Sequence, residues 1–312
     1  MVKPKISIII PVAPNSKFEK TLEAIRNVNY EKDKIEIFII KGENPSKQRN
    51  KGIKLAKGNI ILFLDNDSII EKDYIKKILK RHEDYDVVGG PAITLATDSF
   101  LQKSFGFVLG SYLATQKMQS KFRKVGKARK ATEKELILCN LSIKKETLDK
   151  NGLFNEKLYP NEENELLNRF QKNNVKILYD PEIVIFRSQR KNIKGFMKQI
   201  YTYGLSRMEH FKLKPNFTKP IFFMPSLFVL YLISLIFFKP PWYFIPLILY
   251  IALDLVFSIE ISIRERKLWA ILTTPLLFLI LHISYGYGIF RGIFKRRKSN
   301  NNEVQIKKIT WK

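Results

Sequence analysis

Cysteine is nearly missing from this chain: Cys139 is the single one in 312 residues. That excludes an internal disulfide and any cysteine-based zinc site. Histidine is almost as scarce, and His82, His210 and His282 are too scattered to form a metal cluster, so any bound metal must be held by oxygen. Acidic residues are the third shortage, with 29 Asp and Glu against 55 Lys and Arg and a net charge of +26. So basic a balance points to polyanions, whether nucleic acid, anionic lipid or phosphorylated substrates. No nucleic-acid-binding motif accompanies the charge. The first apolar run, Ile6 to Val12, is seven residues containing Pro11, too short and wrongly flanked for a secretory core. It reads as a buried strand.

What the chain has in abundance is apolar sequence, 45% in all, enough for a substantial core and an appendage. Much of it is gathered late, in Ile221–Phe238, Trp242–Ile259 and Leu268–Phe290, segments of 18, 18 and 23 residues. At 1.5 Å per residue each approaches the ~30 Å of a hydrocarbon core, so the sequence predicts a membrane protein. Lys212, Lys214 and Lys219 precede the first segment, Arg264, Arg266 and Lys267 separate the second from the third, and Arg291 with Lys295–Lys298 follow the third. The positive-inside rule draws all of these to the cytoplasm, which demands an even number of crossings. Either the third segment, interrupted by Pro275, is re-entrant or interfacial, or the tail breaks the rule.

The amino-terminal part alternates between two periodicities. Strands are expected over 6–12, 35–40 and 60–64. Helices are expected after Asn15 or Ser16 on Phe18, Leu22 and Ile25, over 47–57 with Ser46 as cap and Gly58 as left-handed stop, and around Tyr74 to Leu79. Val87-Val88-Gly89-Gly90 continues the alternation. This order predicts an α/β domain with a mostly parallel sheet and right-handed crossovers. Its most telling strand is the third, where five apolar residues, Ile60 to Leu64, run into Asp65-Asn66-Asp67. Ligands of such sheets sit at the carboxyl ends of the strands. Two carboxylates there suit Mg²⁺ or Mn²⁺, whose open positions take phosphate oxygens.

Together with Gln48-Arg49-Asn50-Lys51-Gly52 and a later acidic motif, these residues resemble a family 2 glycosyltransferase of the GT-A fold over roughly the first 200 residues. The resemblance implies a nucleotide-diphosphate sugar donor and a divalent cation, with Asp65 at the ribose and the metal and Asp67 as metal ligand. Pro11, Arg49, Asn50 and Asp65 become the nucleotide-sugar contacts. Arg49, near a helix amino terminus, supplies bidentate donors to the diphosphate. Where family members carry base-reading Asp residues after the second strand, this chain has Lys41-Gly42-Glu43-Asn44, so neither UDP nor GDP is favoured.

The later motif is Phe154-Asn155-Glu156, followed by Asn161-Glu162-Glu163-Asn164-Glu165-Leu166. In inverting relatives the residue matching Glu163 is the general base that takes a proton from the acceptor hydroxyl, and Glu162 is the alternative. Leu136 to Ile143 falls where relatives build the acceptor pocket, which makes Asn140 an acceptor contact, while Cys139 reads as a packed residue. Lys121 to Lys130 carries six positive residues in ten, a solvated run or a grip for a polyprenyl-linked pyrophosphate. No Gln-x-x-Arg-Trp occurs, which favours single-sugar transfer over processive synthesis.

The expected organisation is a GT-A domain over 1–190, an interfacial amphipathic region over 191–216, two or three membrane helices over 217–292 and a basic cytoplasmic tail over 293–312. The expected function is inverting, metal-dependent transfer of one sugar to a lipid-linked or envelope glycan acceptor at the cytoplasmic membrane face, with membrane lipids and no nucleic acid as partners. The alternatives are a non-catalytic GT-A-like membrane protein and an anionic-lipid or nucleic-acid binder.

Overall fold

The computed structural model describes residues 5–158, 162–213, 220–295 and 304–309. Tyr159, Pro160 and Asn161 of the acidic motif, Lys214, Lys219 and the basic residues 296–298 lie outside the described residues. In chain order the first elements are β1 (Ile6–Val12), α1 (Glu19–Arg26), β2 (Ile35–Lys41), α2 (Pro45–Leu55), β3 (Ile60–Phe63), β4 (Ile69–Ile70), α3 (Tyr74–Arg81), β5 (Val87–Gly89) and β6 (Ala92–Thr94). They are followed by α4 (Phe100–Leu109), α5 (Tyr112–Thr115), β7 (Arg129–Lys130), β8 (Leu141–Lys144), α6 (Lys145–Asn151), α7 (Glu162–Lys172), β9 (Ile177–Tyr179) and β10 (Ile185–Arg187). Last come α8 (Ile193–Leu213), α9 (Met224–Ser234), α10 (Ile245–Glu265), α11 (Ala270–Phe294) and β11 (Gln305–Ile309). The chain forms two compact units, one of residues 1–95, 120–188 and 299–312, the other of 96–119 and 189–298.

The first unit is built on an eight-stranded sheet in the order β11-β2-β1-β3-β8-β5-β9-β7, with a small second sheet β4-β10-β6. β1 runs parallel to both β2 and β3, in register from Ile6↔Ile35 to Val12↔Lys41 and from Ile6↔Ile60 to Ile9↔Phe63. Runs of Ile with no polar alternation suit this position, because both faces of these strands are covered. Ile8, Ile10, Ile37, Ile39 and Leu62 meet Leu22 and Ile25 of α1 and Tyr74, Ile75 and Ile78 of α3 in one core cluster. Ile9, Phe38, Ile40, Ile61 and Phe63 meet Ile53 of α2, Leu148 of α6 and Leu166, Leu167 and Phe170 of α7 in another. The sheet departs from the expected parallel order at β8, which lies antiparallel between β3 and β5, while β5 and β9 resume parallel pairing. The tail strand β11 closes the other edge, antiparallel to β2, and Lys308 Nζ lies 2.8 Å from Glu36 Oε2.

Two caps differ from expectation. α1 starts after Phe18 with no side-chain cap, so neither Asn15 nor Ser16 serves. α2 is capped by Asn44, whose Oδ1 accepts from Lys47 N at 3.1 Å, because the Ser46 hydroxyl is drawn to Leu158 O at 2.9 Å. Gly58 is required by close approach instead of a left-handed φ: a Cβ there would lie 2.6 Å from Ser7 Oγ and 2.7 Å from Ser7 N.

In the second unit α8 lies against α11 with their backbones nearly touching. A Cβ on Gly204 would meet Tyr285 O at 2.1 Å, and one on Gly288 would meet Tyr201 O at 2.2 Å. Phe196 of α8 is fully buried and stacks on Phe105 of α4 with ring centroids 4.3 Å apart. Of the three apolar segments, the first is the short one. Its α-helix, α9, has 11 residues, whereas α10 has 21 and α11 has 25. Pro240 and Pro241 lie where the first segment would have to continue, and residues preceding proline leave the helical region. Pro275 does not interrupt the third segment: α11 runs through it, with the Thr274 hydroxyl donating to Ala270 O at 2.7 Å. α10 leaves Ile248, Leu249, Ile251, Leu253, Val256 and Ile259 exposed, an apolar surface of the kind that borders lipid.

Candidate active site

The site grows from the carboxyl end of β3. Leu64 N still bonds Ile9 O at 3.3 Å, and the chain then turns: Asp65 N donates to Ser68 Oγ at 3.0 Å and Ser68 N to Asp65 O at 3.1 Å. Thr21 Oγ1 donates to Asp65 O at 3.3 Å and Asn66 Nδ2 to Lys17 O at 2.6 Å, so α1 and the segment before it pin the turn. Asp65 and Asp67 thereby stand one residue apart on a fixed backbone.

Two arginines converge on them. Arg49, on α2 and only 5% exposed, donates through Nη1 to Glu162 Oε1 at 2.8 Å and reaches Asp65 Oδ1 through Nη2 at 3.4 Å. The sequence Arg49-Asn50-Lys51-Gly52 explains how it gets there. A Cβ on Gly52 would lie 2.7 Å from Ile9 Cγ2 and 2.9 Å from Ile40 Cδ1, so glycine lets α2 settle onto β1 and β2. Asn50, expected at the nucleotide, turns instead to the loop before α7. Its Nδ2 donates to Phe154 O and Glu156 Oε1, both at 2.9 Å, and its Oδ1 accepts from Phe154 N at 3.0 Å. Asn44 Nδ2 adds a bond to Glu156 O at 3.0 Å. Helix α2 therefore sets the approach to α7, and with it Glu162 and Glu163.

The second arginine, Arg187 at the end of β10, carried no motif in the sequence. Its Nη1 donates to Asp65 Oδ2 and its Nη2 to Asp67 Oδ2, each at 3.1 Å, and Cys139 Sγ lies 3.5 Å from Nη1. Glu162–Arg49–Asp65–Arg187–Asp67 is thus a continuous chain of alternating carboxyl and guanidinium groups. Glu163, the next residue on α7, has Lys121 Nζ 3.7 Å from its Oε1, and that ammonium also reaches Asn164 Oδ1 at 3.4 Å. Lys121 is the first residue of the basic run. Others of that run are used locally: Lys124 pairs with Glu182 at 2.9 Å, and Arg129 pairs with Glu135 at 3.2 Å and lies over the Tyr179 ring.

Burial raises the Glu162 carboxyl from 4.5 to about 7, against the pull of Arg49 and with Glu163 adding to the rise. The geometry agrees with that direction, since Glu162 Oε2 is buried with no hydrogen-bond donor and desolvation of that oxygen is uncompensated. Burial also pushes the Cys139 thiol up to about 12, so it is a neutral packed group and no nucleophile.

Pro11 is buried in β1, paired in register with Ile40. Asn140, expected at the acceptor, is 1% exposed and fully engaged elsewhere. Tyr74 Oη donates to its Oδ1 at 2.6 Å, and its Nδ2 donates to Pro91 O and Ile183 O at 2.8 Å each. Both donors and the acceptor of its amide are spent on cross-linking the strand ends, which leaves it a structural role.

The pair Asp65 and Asp67 suits a hard divalent cation. Their donors are carboxylate oxygens, and Asp67 Oδ1 is buried without a hydrogen-bond partner. Among the described residues no third Asp, Glu, His or Cys joins them in a ligand group. Two carboxylates leave most positions of Mg²⁺ or Mn²⁺ to water and phosphate oxygens, which is how such ions sit at nucleotide sites.

Comparison with known proteins bears on this arrangement. Residues 8–126 match the family model for glycosyl transferase family 2. A dolichyl N-acetyl-alpha-D-glucosaminyl phosphate 3-beta-D-2,3-diacetamido-2,3-dideoxy-beta-D-glucuronosyltransferase of Methanococcus voltae is 22% identical over 93% of this chain and 97% of its own. The mannosyltransferase PcManGT of Pyrobaculum calidifontis, solved with GDP-Man and Mn²⁺, superposes with a TM-score of 0.57 at 14% identity, over 94% of this chain and 88% of that one. Residues 8–126 thus resemble the family 2 glycosyltransferases, and the fold is GT-A-like. The coarse activity that these matches support is glycosyl transfer.

Proposed function

We propose that the enzyme transfers one sugar, with inversion, from a nucleotide-diphosphate sugar to a lipid-linked or envelope glycan acceptor at the cytoplasmic face of a membrane. The carrying observation is the charge chain from Glu162 through Arg49 and Asp65 to Asp67, with Glu163 beside it. Asp65 and Asp67 hold the divalent cation, whose chemistry when bound is to offset the charge of the departing nucleoside diphosphate. Arg49 orients Asp65 and adds a fixed positive charge beside it. Glu163 is the general base, taking the acceptor proton as the hydroxyl attacks. Glu162 is too enclosed for that role and serves to hold Arg49 in place. The Mn²⁺ in the Pyrobaculum mannosyltransferase and the dolichyl-linked substrate in the name of the Methanococcus relative support the cation and the lipid-linked acceptor.

Two features support a reading of the membrane topology. β11, downstream of the apolar helices, pairs with β2, upstream of them, which favours an even number of crossings. α10 and α11 are the two crossings, and α9, at ~16 Å, is too short. The side holding the sheet then carries nine flanking cations: Lys212, Lys214, Lys219, Lys239, Arg291, Lys295, Arg296, Arg297 and Lys298. Arg264, Arg266 and Lys267 fall on the other side, and this bias supports a cytoplasmic catalytic domain.

A thermal-shift screen of UDP- and GDP-sugars with and without Mn²⁺ tests the reading. It predicts that one donor raises the melting temperature only when Mn²⁺ is present. No stabilisation by any activated sugar contradicts it.

A further inference from the structure

Four carboxylate oxygens belong to Asp65 and Asp67, and three of them face a guanidinium. Arg49 takes Asp65 Oδ1, while Arg187 takes Asp65 Oδ2 and Asp67 Oδ2. The fourth, Asp67 Oδ1, has no partner. That oxygen is buried, so a cation engages it only by entering the pair, and coordination by both residues meets Arg187. The arginine is itself held in place, because Phe186 and Arg187 continue the pairing of β10 with β6 (Phe186↔Ile93, Arg187↔Thr94). Its planar fork presents two nitrogens to two different carboxylates, which a lysine ammonium, a point charge, cannot reproduce.

We propose that Arg187 is a resident counter-cation: it holds Asp65 and Asp67 in register when no metal is bound, and competes with the divalent ion for them. Entry of the ion displaces the guanidinium from at least Asp67, because two positive groups cannot share one carboxylate pair without repulsion. The displaced guanidinium then answers the negative charge of the incoming diphosphate, so ion and donor bind cooperatively and each alone binds weakly. Arg187 acts in this as a positioning residue for the ion site. The inference rests on the reading of Asp65 and Asp67 as that site.

The test counts free Mn²⁺ by its electron paramagnetic resonance signal during titration of purified full-length protein in detergent. The titrations use wild type, Arg187→Gln and Arg187→Lys, each with Mn²⁺ alone and with UDP or GDP added. Loss of one charged competitor predicts that Arg187→Gln binds Mn²⁺ alone about tenfold more tightly than wild type, with Arg187→Lys between them. The factor by which the nucleotide tightens Mn²⁺ binding falls correspondingly in Arg187→Gln. Equal or weaker Mn²⁺ affinity in Arg187→Gln overturns the proposal and leaves the ion site standing. Absence of Mn²⁺ binding in wild type and both variants overturns the ion site and the proposal together. Should Arg187→Gln fail to fold, unchanged or weaker Mn²⁺ binding by Arg187→Lys is the overturning result.

Discussion

Glu162→Gln separates the charge of this buried carboxyl from its shape. The amide keeps an oxygen for Arg49 Nη1 and removes the titration. In the native protein burial holds the carboxyl at about 7, against 4.5 for the unfolded chain. As pH rises from 4.5 to 7 the unfolded chain releases this proton while the folded one retains it, so stability falls across that window. At 1.36 kcal/mol per pH unit the gap makes a loss of roughly 3 kcal/mol by pH 7. For a domain of this size that is about 6–12 °C in melting temperature. Melting of wild type and Glu162→Gln, followed by intrinsic fluorescence in detergent between pH 4.5 and 7.5, reads it directly. The variant is expected to match wild type at the acid end and to melt progressively higher than it toward neutrality. Were the attraction of Arg49 to outweigh burial, Glu162 would be ionised throughout and the variant would melt lower at pH 7. That outcome, or an offset that does not vary with pH, refutes the argument.

Glu163→Gln removes the proposed base while leaving the Asp65–Asp67 turn untouched. It should lower kcat about 10²- to 10⁴-fold with little change in donor KM, measured by release of nucleoside diphosphate. Asn140→Ala strands the Tyr74 hydroxyl and two carbonyls in the interior and should cost about 3 kcal/mol in chemical denaturation, without altering acceptor KM in the remaining folded enzyme. A change confined to acceptor KM would return Asn140 to the acceptor site.

The parts of this molecule that could be read from its sequence are those whose determinants are local. β1, β2 and β3 announce themselves as Ile-rich runs because both of their faces are buried, and Asp65 and Asp67 follow from where such a strand must end. Arg49 and Gly52 form a recognisable pair because one helix has both to hold a charge and to lie close on the sheet. What escaped was set by partners far along the chain. Ser46 gives up its cap to Leu158 O, 112 residues away. Asn140 and Asn50 look like ligand contacts until their partners are seen, the carbonyls of Pro91 and Ile183 for the first, and the Phe154 carbonyl and Glu156 carboxylate for the second. Arg187 sits in Ile185-Phe186-Arg187, where only the pairing of β10 with β6 and β4 brings it to Asp65, 122 residues earlier. β11 is a short Lys-rich strand whose partner lies beyond the apolar helices, so neither periodicity nor composition marks it.

Calorimetry of the purified enzyme with the donor selected by thermal shift, in Mn²⁺ and again in EDTA, tests the central claim most directly when Asp67→Ala is run beside wild type. Wild type is expected to bind the donor at least about tenfold more tightly with Mn²⁺, and Asp67→Ala to lose that strengthening while it stays folded. Donor binding that is equally strong in EDTA, or Mn²⁺ dependence that survives the substitution, contradicts the claim.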